Sequence, residues 1–444
     1  MWWHVYPLGF TGAPQTAVGP DAPVTHRLRG LEDWLGYLVD LGLNGLALGP
    51  VFASATHGYD TVDHTRIDPR LGDRADLDHL VEAAHRHGVR VMLDGVFNHV
   101  GDQHPAFRAA LAGGPGSPEA ELFRIRWGGP EHPEPDWDCF EGHRSLVTLD
   151  HRSPRVVDLV TDVMTGWLDV GVDAWRLDAA YAVPPEFWAQ VVPRVRAAHP
   201  DAYLMGEVIH GDYAAFVAAT GLDSVTQYEL WKAVWSSIHD RNLHELVWTL
   251  GRHDALLDSF VPYTFVGNHD VTRIASRLDD ATLAGHALVV LATVGGTPAV
   301  YYGDEQAWRG VKEDRAGGDD AVRPVFPATP AGLAGPADAP EGWAAYRRHQ
   351  ALLGLRRRHP WLHRARTRVV EVGGPHLLYE TAADGAALLV ALNLADESWS
   401  VPVPADAELL LAEGPGAAVH PAPPAPGGGA VLTVPGRGWA VLRA

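Results

Sequence analysis

Four short apolar runs of this sequence each lead into polar residues that could do chemistry. Carboxyl, imidazole and guanidinium groups are costly to bury without partners, so their recurrence where apolar runs end predicts a shared polar site rather than a core. The four segments are Asp94-Gly95-Val96-Phe97-Asn98-His99, Asp173-Ala174-Trp175-Arg176-Leu177-Asp178, Met205-Gly206-Glu207-Val208 and Val266-Gly267-Asn268-His269-Asp270.

The second segment sorts its side chains by strand alternation. Arg176 and Asp178 point to one side, while Trp175 and Leu177 point to the other, where large apolar groups pack against helices. A guanidinium two residues before a carboxylate lowers the pKa of that carboxyl group. We therefore expect Asp178 to be ionised and to face a polar interior.

The other two carboxyl residues suggest complementary roles. Glu207 ends an almost wholly apolar strand, and such surroundings favour the protonated form of a carboxyl group. One charged nucleophile and one proton donor are what cleavage of a glycosidic bond needs. Asp270 adds a third carboxylate, suited to a developing oxocarbenium charge.

Composition excludes several classes of function. The chain has 444 residues, 46% hydrophobic, with 35 basic against 55 acidic residues and a net charge of −20, which disfavours nucleic-acid binding. It contains no run of about 18 apolar residues that could span a membrane. Cys139 is the only cysteine, and no secretory signal opens the chain. We expect a cytoplasmic protein without a membrane partner.

The elements that must position these residues alternate in type. Eight short apolar runs are each followed by an amphipathic helical stretch, the sixth pair being strand Ser224–Tyr228 with helix Leu243–Leu257. Eight such pairs predict a parallel α/β sheet closed into a (β/α)8 TIM barrel, whose active site lies at the carboxyl ends of the strands.

Two regions depart from this alternation. Residues 98–150 contain Gly, Pro, His and Trp without a clear helix and predict a small inserted domain after the third strand. Period-two runs after residue 360 predict a C-terminal antiparallel β-sandwich, with Ala412–Gly429 as a mobile surface loop. The predicted division is therefore barrel 1–97, insertion 98–150, barrel 151–360 and β domain 361–444.

The four segments, in this order, resemble the signature regions of the α-amylase family of retaining glycoside hydrolases. Two further stretches also match, Gly58-Tyr59-Asp60 after the second strand and Tyr302-Gly303-Asp304-Glu305 after the eighth. Six segments in order and spacing make the resemblance specific, and it covers roughly residues 1–360. It implies an α-glycosidase that acts through a covalent glycosyl-enzyme.

The resemblance also implies residue roles. Asp178 is the expected nucleophile, Glu207 the general acid and then base, and Asp270 the carboxylate that binds sugar hydroxyls. The expected substrate contacts and their supports are Arg176 fixing Asp178, His99 and His269 bonding the sugar, Tyr59 stacking on it, and Asp60 and Asp94 as buried supports.

Other positions leave alternatives open. Asn98 is either a calcium ligand, as in many relatives, or a plain turn asparagine; no cofactor is otherwise expected. Trp137 in the insertion is a candidate sugar platform, with core packing as the alternative. The charged cluster 313–320 is either a solvated loop or part of the cleft rim.

Departures from the family pattern bear on the substrate. Typical starch-degrading members carry a Lys-His pair after the nucleophile, whereas this chain has Ala179-Ala180-Tyr181-Ala182-Val183-Pro184. We therefore expect short α-glucosides as substrates: malto-oligosaccharides, cyclic maltodextrins or mixed α-1,4/1,6 oligosaccharides, handled by an enzyme of cyclomaltodextrinase or α-glucosidase type. A glucan or glucosyl transferase or isomerase of the same family and a non-catalytic carbohydrate-binding protein remain alternatives. Both a monomer and a homodimer are compatible with the sequence.

Overall fold

A computed structural model describes residues 1–17, 23–129, 134–278, 280–315, 317–414, 416–421 and 429–443. Its main sheet has eight parallel strands: β1 (Trp2–Val5), β2 (Gly45–Leu48), β3 (Arg90–Gly95), β4 (Ala174–Leu177), β5 (Tyr203–Gly206), β6 (Ser224–Val225), β7 (Tyr263–Phe265) and β8 (Thr297–Tyr301). Their order in the sheet is β6-β5-β4-β3-β2-β1-β8-β7. One parallel bridge between Thr226 and Tyr263 joins the two outer strands, so the sheet closes. The predicted (β/α)8 barrel is confirmed.

Amphipathic helices cover the outside of the barrel. The third of them, with Pro154 in its first turn, buries Val156, Val160, Val163 and Trp167, a stripe at helical spacing. The helices are α1 (Leu35–Leu41, after a 3-10 turn Leu28–Trp34), α2 (Arg74–Arg86), α3 (Pro154–Leu168), α4 (Pro185–Ala198), α5 (Tyr213–Thr220), α6 (Tyr228–His239), α7 (His244–Leu256), α8 (Ala284–Thr293) and α9 (Pro340–Arg358). No helix in the described ranges is long and apolar enough to cross a bilayer.

The region after β6 differs from the prediction. Strand β6 ends at Val225 rather than at Tyr228, and two helices, α6 and α7, follow it instead of one. The Gln227 side chain caps α6, because its Oε1 accepts hydrogen bonds from the backbone N–H groups of Glu229 (3.1 Å) and Leu230 (3.3 Å). This cap starts a helix at Tyr228 immediately after the strand.

The predicted insertion also contains more regular structure than expected. A helix spans Pro105–Gly113, with Pro105 at its first position and the His104 ring accepting from the N–H of Ala106 (3.2 Å), so the expectation of no clear helix was wrong. The region also contains two short antiparallel strand pairs. His99–Gly101 pairs with Leu146–Thr148, and Ile125–Arg126 pairs with Asp136–Trp137. The exact domain limits stay a prediction.

The C-terminal part forms two antiparallel sheets, as predicted. Their strands are β9 (Arg366–Gly373), β10 (His376–Ala383), β11 (Ala386–Asn393), β12 (Trp399–Val403), β13 (Glu408–Glu413), β14 (Ala418–Pro421), β15 (Ala430–Val434) and β16 (Trp439–Arg443). The orders are β9-β10-β11-β16-β13 and β12-β15-β14, and Leu389 and Leu442 of one sheet share a core with Val401 and Leu432 of the other. The predicted loop 412–429 starts within strand β13, which ends at Glu413, and it contains strand β14. Its residues 415 and 422–428 lie outside the described residues.

The turn after β8 buries two carboxyl groups, which predicts a pH dependence of stability. Burial raises the pKa of Asp304 to about 6 and that of Glu305 to about 7. A group whose pKa is raised on folding stabilises the protein below its unfolded pKa, and that contribution is lost as the pH rises through the folded value. We expect the free energy of unfolding to fall by about 3 kcal/mol between about pH 4.5 and 7 through Glu305.

The matched test is urea denaturation across that pH range. Glu305→Gln should flatten the slope of stability against pH, because the titrating group is removed. Glu341→Gln, at a carboxylate two-thirds exposed, should leave the slope unchanged. An unaltered slope in Glu305→Gln contradicts the assignment.

Candidate active site

One buried guanidinium joins three carboxyl groups at the carboxyl ends of β3, β4 and β5. Arg176 Nη1 donates to both oxygens of Asp94 (2.7 Å each) and to Asp178 Oδ1 (3.2 Å). Its Nη2 lies 2.8 Å from Glu207 Oε1. Trp175 points outward, with its indole N–H near the carbonyl of Met164 in α3 (3.3 Å), as strand alternation predicts. The structure thus brings Asp178 and Glu207 to the same cation.

Burial reverses one expectation about Asp178. Removal from water raises the pKa of Asp178 well above its ordinary value, and the neighbouring carboxyl groups of Glu207 and Asp94 act in the same direction. Arg176 opposes this shift but does not overcome it. The prediction of a lowered pKa was wrong, because the guanidinium is shared among three carboxyl groups instead of serving one.

Glu207 has a protein donor at each of its carboxyl oxygens. The backbone N–H of Ala179 donates to Oε2 (3.0 Å), and the hydroxyl of Tyr228 donates to Oε1 (3.1 Å). Ala179 has a left-handed backbone (φ 45°). Asn268 Nδ2 in turn donates to the Tyr228 hydroxyl (2.9 Å). Sequence reasoning missed Tyr228, because it assigned this residue to a strand.

Asp270 lies between the side chains of His269 and Arg323. His269 Nε2 is 2.9 Å from Asp270 Oδ2, and Arg323 Nη2 donates to Oδ1 (2.8 Å). Burial acts to raise the pKa of Asp270, but His269 and then Arg323 outweigh it and hold the pKa well below its ordinary value. Asp319 also lies 3.0 Å from Arg323 Nη2, so part of the charged cluster 313–320 contacts the site through Arg323.

Tyr59 lies next to Asp94 and His269. Its hydroxyl donates to Asp94 Oδ2 (3.1 Å) and contacts His269 Nε2, and the two rings stack with centroids 5.3 Å apart. His99 Nε2 lies 3.0 Å from the carbonyl of Tyr59, and His99 is almost fully buried beneath it. In this arrangement His99 supports the Tyr59 loop, so its predicted contact to a sugar lacks support from the geometry.

Two other predicted residues lie outside this cluster. Asp60 accepts hydrogen bonds from the N–H and hydroxyl of Thr56 (3.0 and 2.7 Å), which stabilises the loop after β2. The guanidinium of Arg144 lies 4.1 Å from the centre of the Trp137 ring, and the indole N–H donates to the Arg144 carbonyl (3.1 Å). One face of the Trp137 ring is therefore already covered.

Asn98, the candidate calcium ligand, is buried, and its Nδ2 lies 3.1 Å from His99 Nδ1. Within the described part of the chain, the one group of three His, Cys, Asp or Glu side chains close enough to share a metal is His26, Asp73 and Asp76. There Asp76 is already bonded by His26 and Arg29. Calcium takes six to eight oxygen ligands, so the His26, Asp73 and Asp76 group does not fit this ion, and we derive no step through a metal.

The site opens beside a cavity of about 420 Å³, lined in part by Tyr6, His57, Asp319 and Arg323. On the other side, the hydroxyl of Tyr181 donates to Glu141 Oε1 (3.1 Å). This contact joins the segment after β4 to the insertion. The catalytic cluster therefore has this cavity beside Arg323 and a contact to the insertion through Tyr181.

Comparisons with known proteins agree with this architecture. The model of the alpha amylase catalytic domain matches residues 4–362. A cyclomaltodextrinase of Geobacillus thermopakistaniensis is 30% identical over 396 residues, 86% of this chain and 64% of that protein. A maltogenic alpha-amylase of Bacillus acidopullulyticus is 32% identical over 287 residues, 63% of this chain and 49% of that protein. The chain thus spans about half to two thirds of the length of these curated relatives.

The fold is shared over the whole chain with a solved structure. The debranching enzyme of Nostoc punctiforme superposes with a TM-score of 0.81 at 24% identity, covering 100% of this chain and 98% of that one. Its likeness extends through the C-terminal β domain. With a catalytic-domain match that covers the barrel from β1 to beyond α9, this chain belongs to the alpha-amylase family.

Proposed function

We propose that this protein is a retaining glycoside hydrolase that cleaves α-glucosidic bonds in short malto-oligosaccharides or in cyclic or mixed α-1,4/1,6 oligosaccharides. The observation that carries the proposal is the sharing of Arg176 by Asp178 and Glu207, each within 3.2 Å of the same guanidinium. A pair of carboxyl groups in a buried polar site is the machinery of glycosidases, and the resemblance to the α-amylase family implies the retaining form.

Arg176 supports the starting state of this reaction. Asp94, Asp178 and Glu207 surround one guanidinium, so the three carboxyl groups share one positive charge. The reaction uses a proton on Glu207 and an ionised Asp178. Burial raises the pKa of Asp178, and Arg176 opposes that shift and thus stabilises the ionised form.

The reaction then proceeds in two balanced steps. Asp178 attacks the anomeric carbon while the Glu207 proton moves to the glycosidic oxygen; the carbon–oxygen bond breaks and an ester to Asp178 forms. In the second step Glu207 takes a proton from water, the resulting hydroxide displaces Asp178, and Glu207 is protonated again. Asp270, held ionised by His269 and Arg323, stabilises positive charge at the sugar ring in both transition states.

The substrate class rests on two supports. The segment after Asp178 lacks the Lys-His pair, and Tyr181 in that segment donates a hydrogen bond to Glu141 of the insertion. The names of two relatives, cyclomaltodextrinase and maltogenic alpha-amylase, indicate the same class of sugars. A cytoplasmic location and a monomeric or homodimeric state stay predictions.

The stereochemistry of the product is the first testable consequence. Double displacement returns the α configuration, so NMR of a fresh digest of maltotriose should show α-anomers of the new reducing end before mutarotation. β-Anomers appearing first would contradict a nucleophilic Asp178 and indicate inversion.

A product screen separates hydrolysis from its alternatives. Maltose, maltotriose, a cyclic maltodextrin, a mixed α-1,4/1,6 oligosaccharide and sucrose should be incubated separately and analysed by chromatography. The proposal expects shorter linear products from the malto-oligosaccharides or cyclic substrate. Longer products or trehalose would indicate a transferase or isomerase, because a sugar in place of water intercepts the same intermediate. Binding without turnover would indicate a carbohydrate-binding protein.

A further inference from the structure

Tyr228 is the buried side chain next to Glu207 that the mechanism above does not use. It lies in the first turn of α6, and its hydroxyl donates to Glu207 Oε1 (3.1 Å) while accepting from Asn268 Nδ2 (2.9 Å). The hydroxyl is thus fixed at both ends. Because the Asn268 amide occupies an acceptor position of the hydroxyl, the hydroxyl proton is directed at Glu207.

The two oxygens of Glu207 have unequal surroundings. A carboxyl oxygen has two lone pairs. Oε1 accepts a hydrogen bond from the Tyr228 hydroxyl, and Arg176 Nη2 faces the same oxygen as an ion pair at 2.8 Å. Oε2 has one donor, the backbone N–H of Ala179 at 3.0 Å. A proton on Oε1 would therefore meet the Tyr228 donor and the guanidinium charge, whereas Oε2 keeps a free lone pair.

We propose that Tyr228 is a positioning residue that keeps the transferable proton of Glu207 on Oε2, where the glycosidic oxygen receives it. This inference rests on the proposed function and specifies one of its parts. Tyr228 itself touches neither the anomeric carbon nor the leaving group; it acts by filling the second lone pair of Oε1. Without its hydroxyl, the proton can move to Oε1, on the side of Arg176 and away from the bond to be broken.

The charged groups around Glu207 provide only part of this selection. Arg176 faces Glu207 from β4 and lies against Oε1, so its charge disfavours a proton on that oxygen. Asp178, Asp94 and Asp270 lie at the ends of β4, β3 and β7, and their fields act on both oxygens of Glu207 together. Tyr228 is the uncharged donor that adds a hydrogen bond to Oε1.

The test is Tyr228→Phe assayed with two substrates that differ in their need for an acid. Maltotriose has a poor leaving group and requires protonation, whereas α-maltosyl fluoride loses fluoride with little help from a proton donor. We expect kcat/KM for maltotriose to fall about 10-fold, the upper effect of losing one hydrogen bond between uncharged groups. For α-maltosyl fluoride it should fall less than about 3-fold.

Tyr203→Phe is the matched control. Tyr203 also lies in the barrel interior, and its hydroxyl is buried near Ser224 and Thr297. Both substrates should be hydrolysed by this variant as by the unchanged protein. Fluoride turnover by Tyr228→Phe also reports that this variant is folded.

The outcomes separate the inference from the proposed function. A selective loss for maltotriose supports the role of Tyr228. An equal loss for both substrates, or none for either, overturns it while the hydrolase assignment stands. If the unchanged protein hydrolyses neither maltotriose nor α-maltosyl fluoride, the proposed function itself fails for this class of substrate.

Discussion

Asp178→Asn is expected to lower kcat for maltotriose by about 10⁴-fold or more, because an amide cannot form the glycosyl ester. The fold should persist. Asn has the same shape, and the side chain it replaces has one 3.2 Å bond to Arg176, which keeps its two 2.7 Å bonds to Asp94. Calorimetry with maltotriose should therefore show binding close to that of the unchanged protein.

A matched variant controls for the loss of a carboxylate. Asp254 in α7 is partly buried and accepts hydrogen bonds from the N–H and hydroxyl of Thr367 in β9 (2.7 and 2.9 Å), not from a catalytic residue. Asp254→Asn should retain full activity. Turnover by Asp178→Asn near the rate of the unchanged protein would remove Asp178 from the role of nucleophile.

Arg176→Met is expected to cost about 3–5 kcal/mol of unfolding free energy, because it leaves three buried carboxyl groups without their cation. Arg176 is 8% exposed and contacts Asp94, Asp178 and Glu207. Burial by itself lowers the pKa of Arg176, but these carboxylates raise it above its ordinary value, so the cation is retained in the folded state. Activity should be lost together with stability.

Urea denaturation with two comparison variants checks this figure. Arg194→Met breaks an exposed ion pair with Asp158 (2.6 Å) and should cost less than about 1 kcal/mol. Adding Asp94→Asn to Arg176→Met removes one of the uncompensated charges and should restore part of the lost stability. A cost for Arg176→Met no larger than for Arg194→Met would show that the cluster does not depend on this cation.

The sequence allowed the barrel and the inward direction of Arg176 and Asp178 to be predicted, because both depend on local patterns. Period-two alternation needs only neighbouring residues, and Trp175 and Leu177 define the outer face. The partners of Arg176 were beyond such reasoning. Asp94 precedes Arg176 by 82 residues and meets it through the register of β3 against β4.

The residues that were missed have physical explanations. Tyr228 follows Ser224-Val225-Thr226-Gln227, a segment without Gly or Pro, and only the cap formed by Gln227 shows that a helix begins there. Arg323 follows Asp270 by 53 residues, in a loop that no periodic pattern describes. The raised pKa of Asp178 depends on how fully water is excluded, which is a property of the packed site rather than of neighbouring residues.

The most direct test of the account is chemical trapping of the glycosyl-enzyme. A 5-fluoro-α-glucosyl fluoride forms the ester quickly and releases it slowly, so the labelled protein can be digested and its peptides analysed by mass spectrometry. The account predicts one added sugar on the peptide that contains Asp178, and none on Asp178→Asn. A label on the peptide that contains Glu207 or Asp270, or consumption of the reagent with no label at any time, would contradict it.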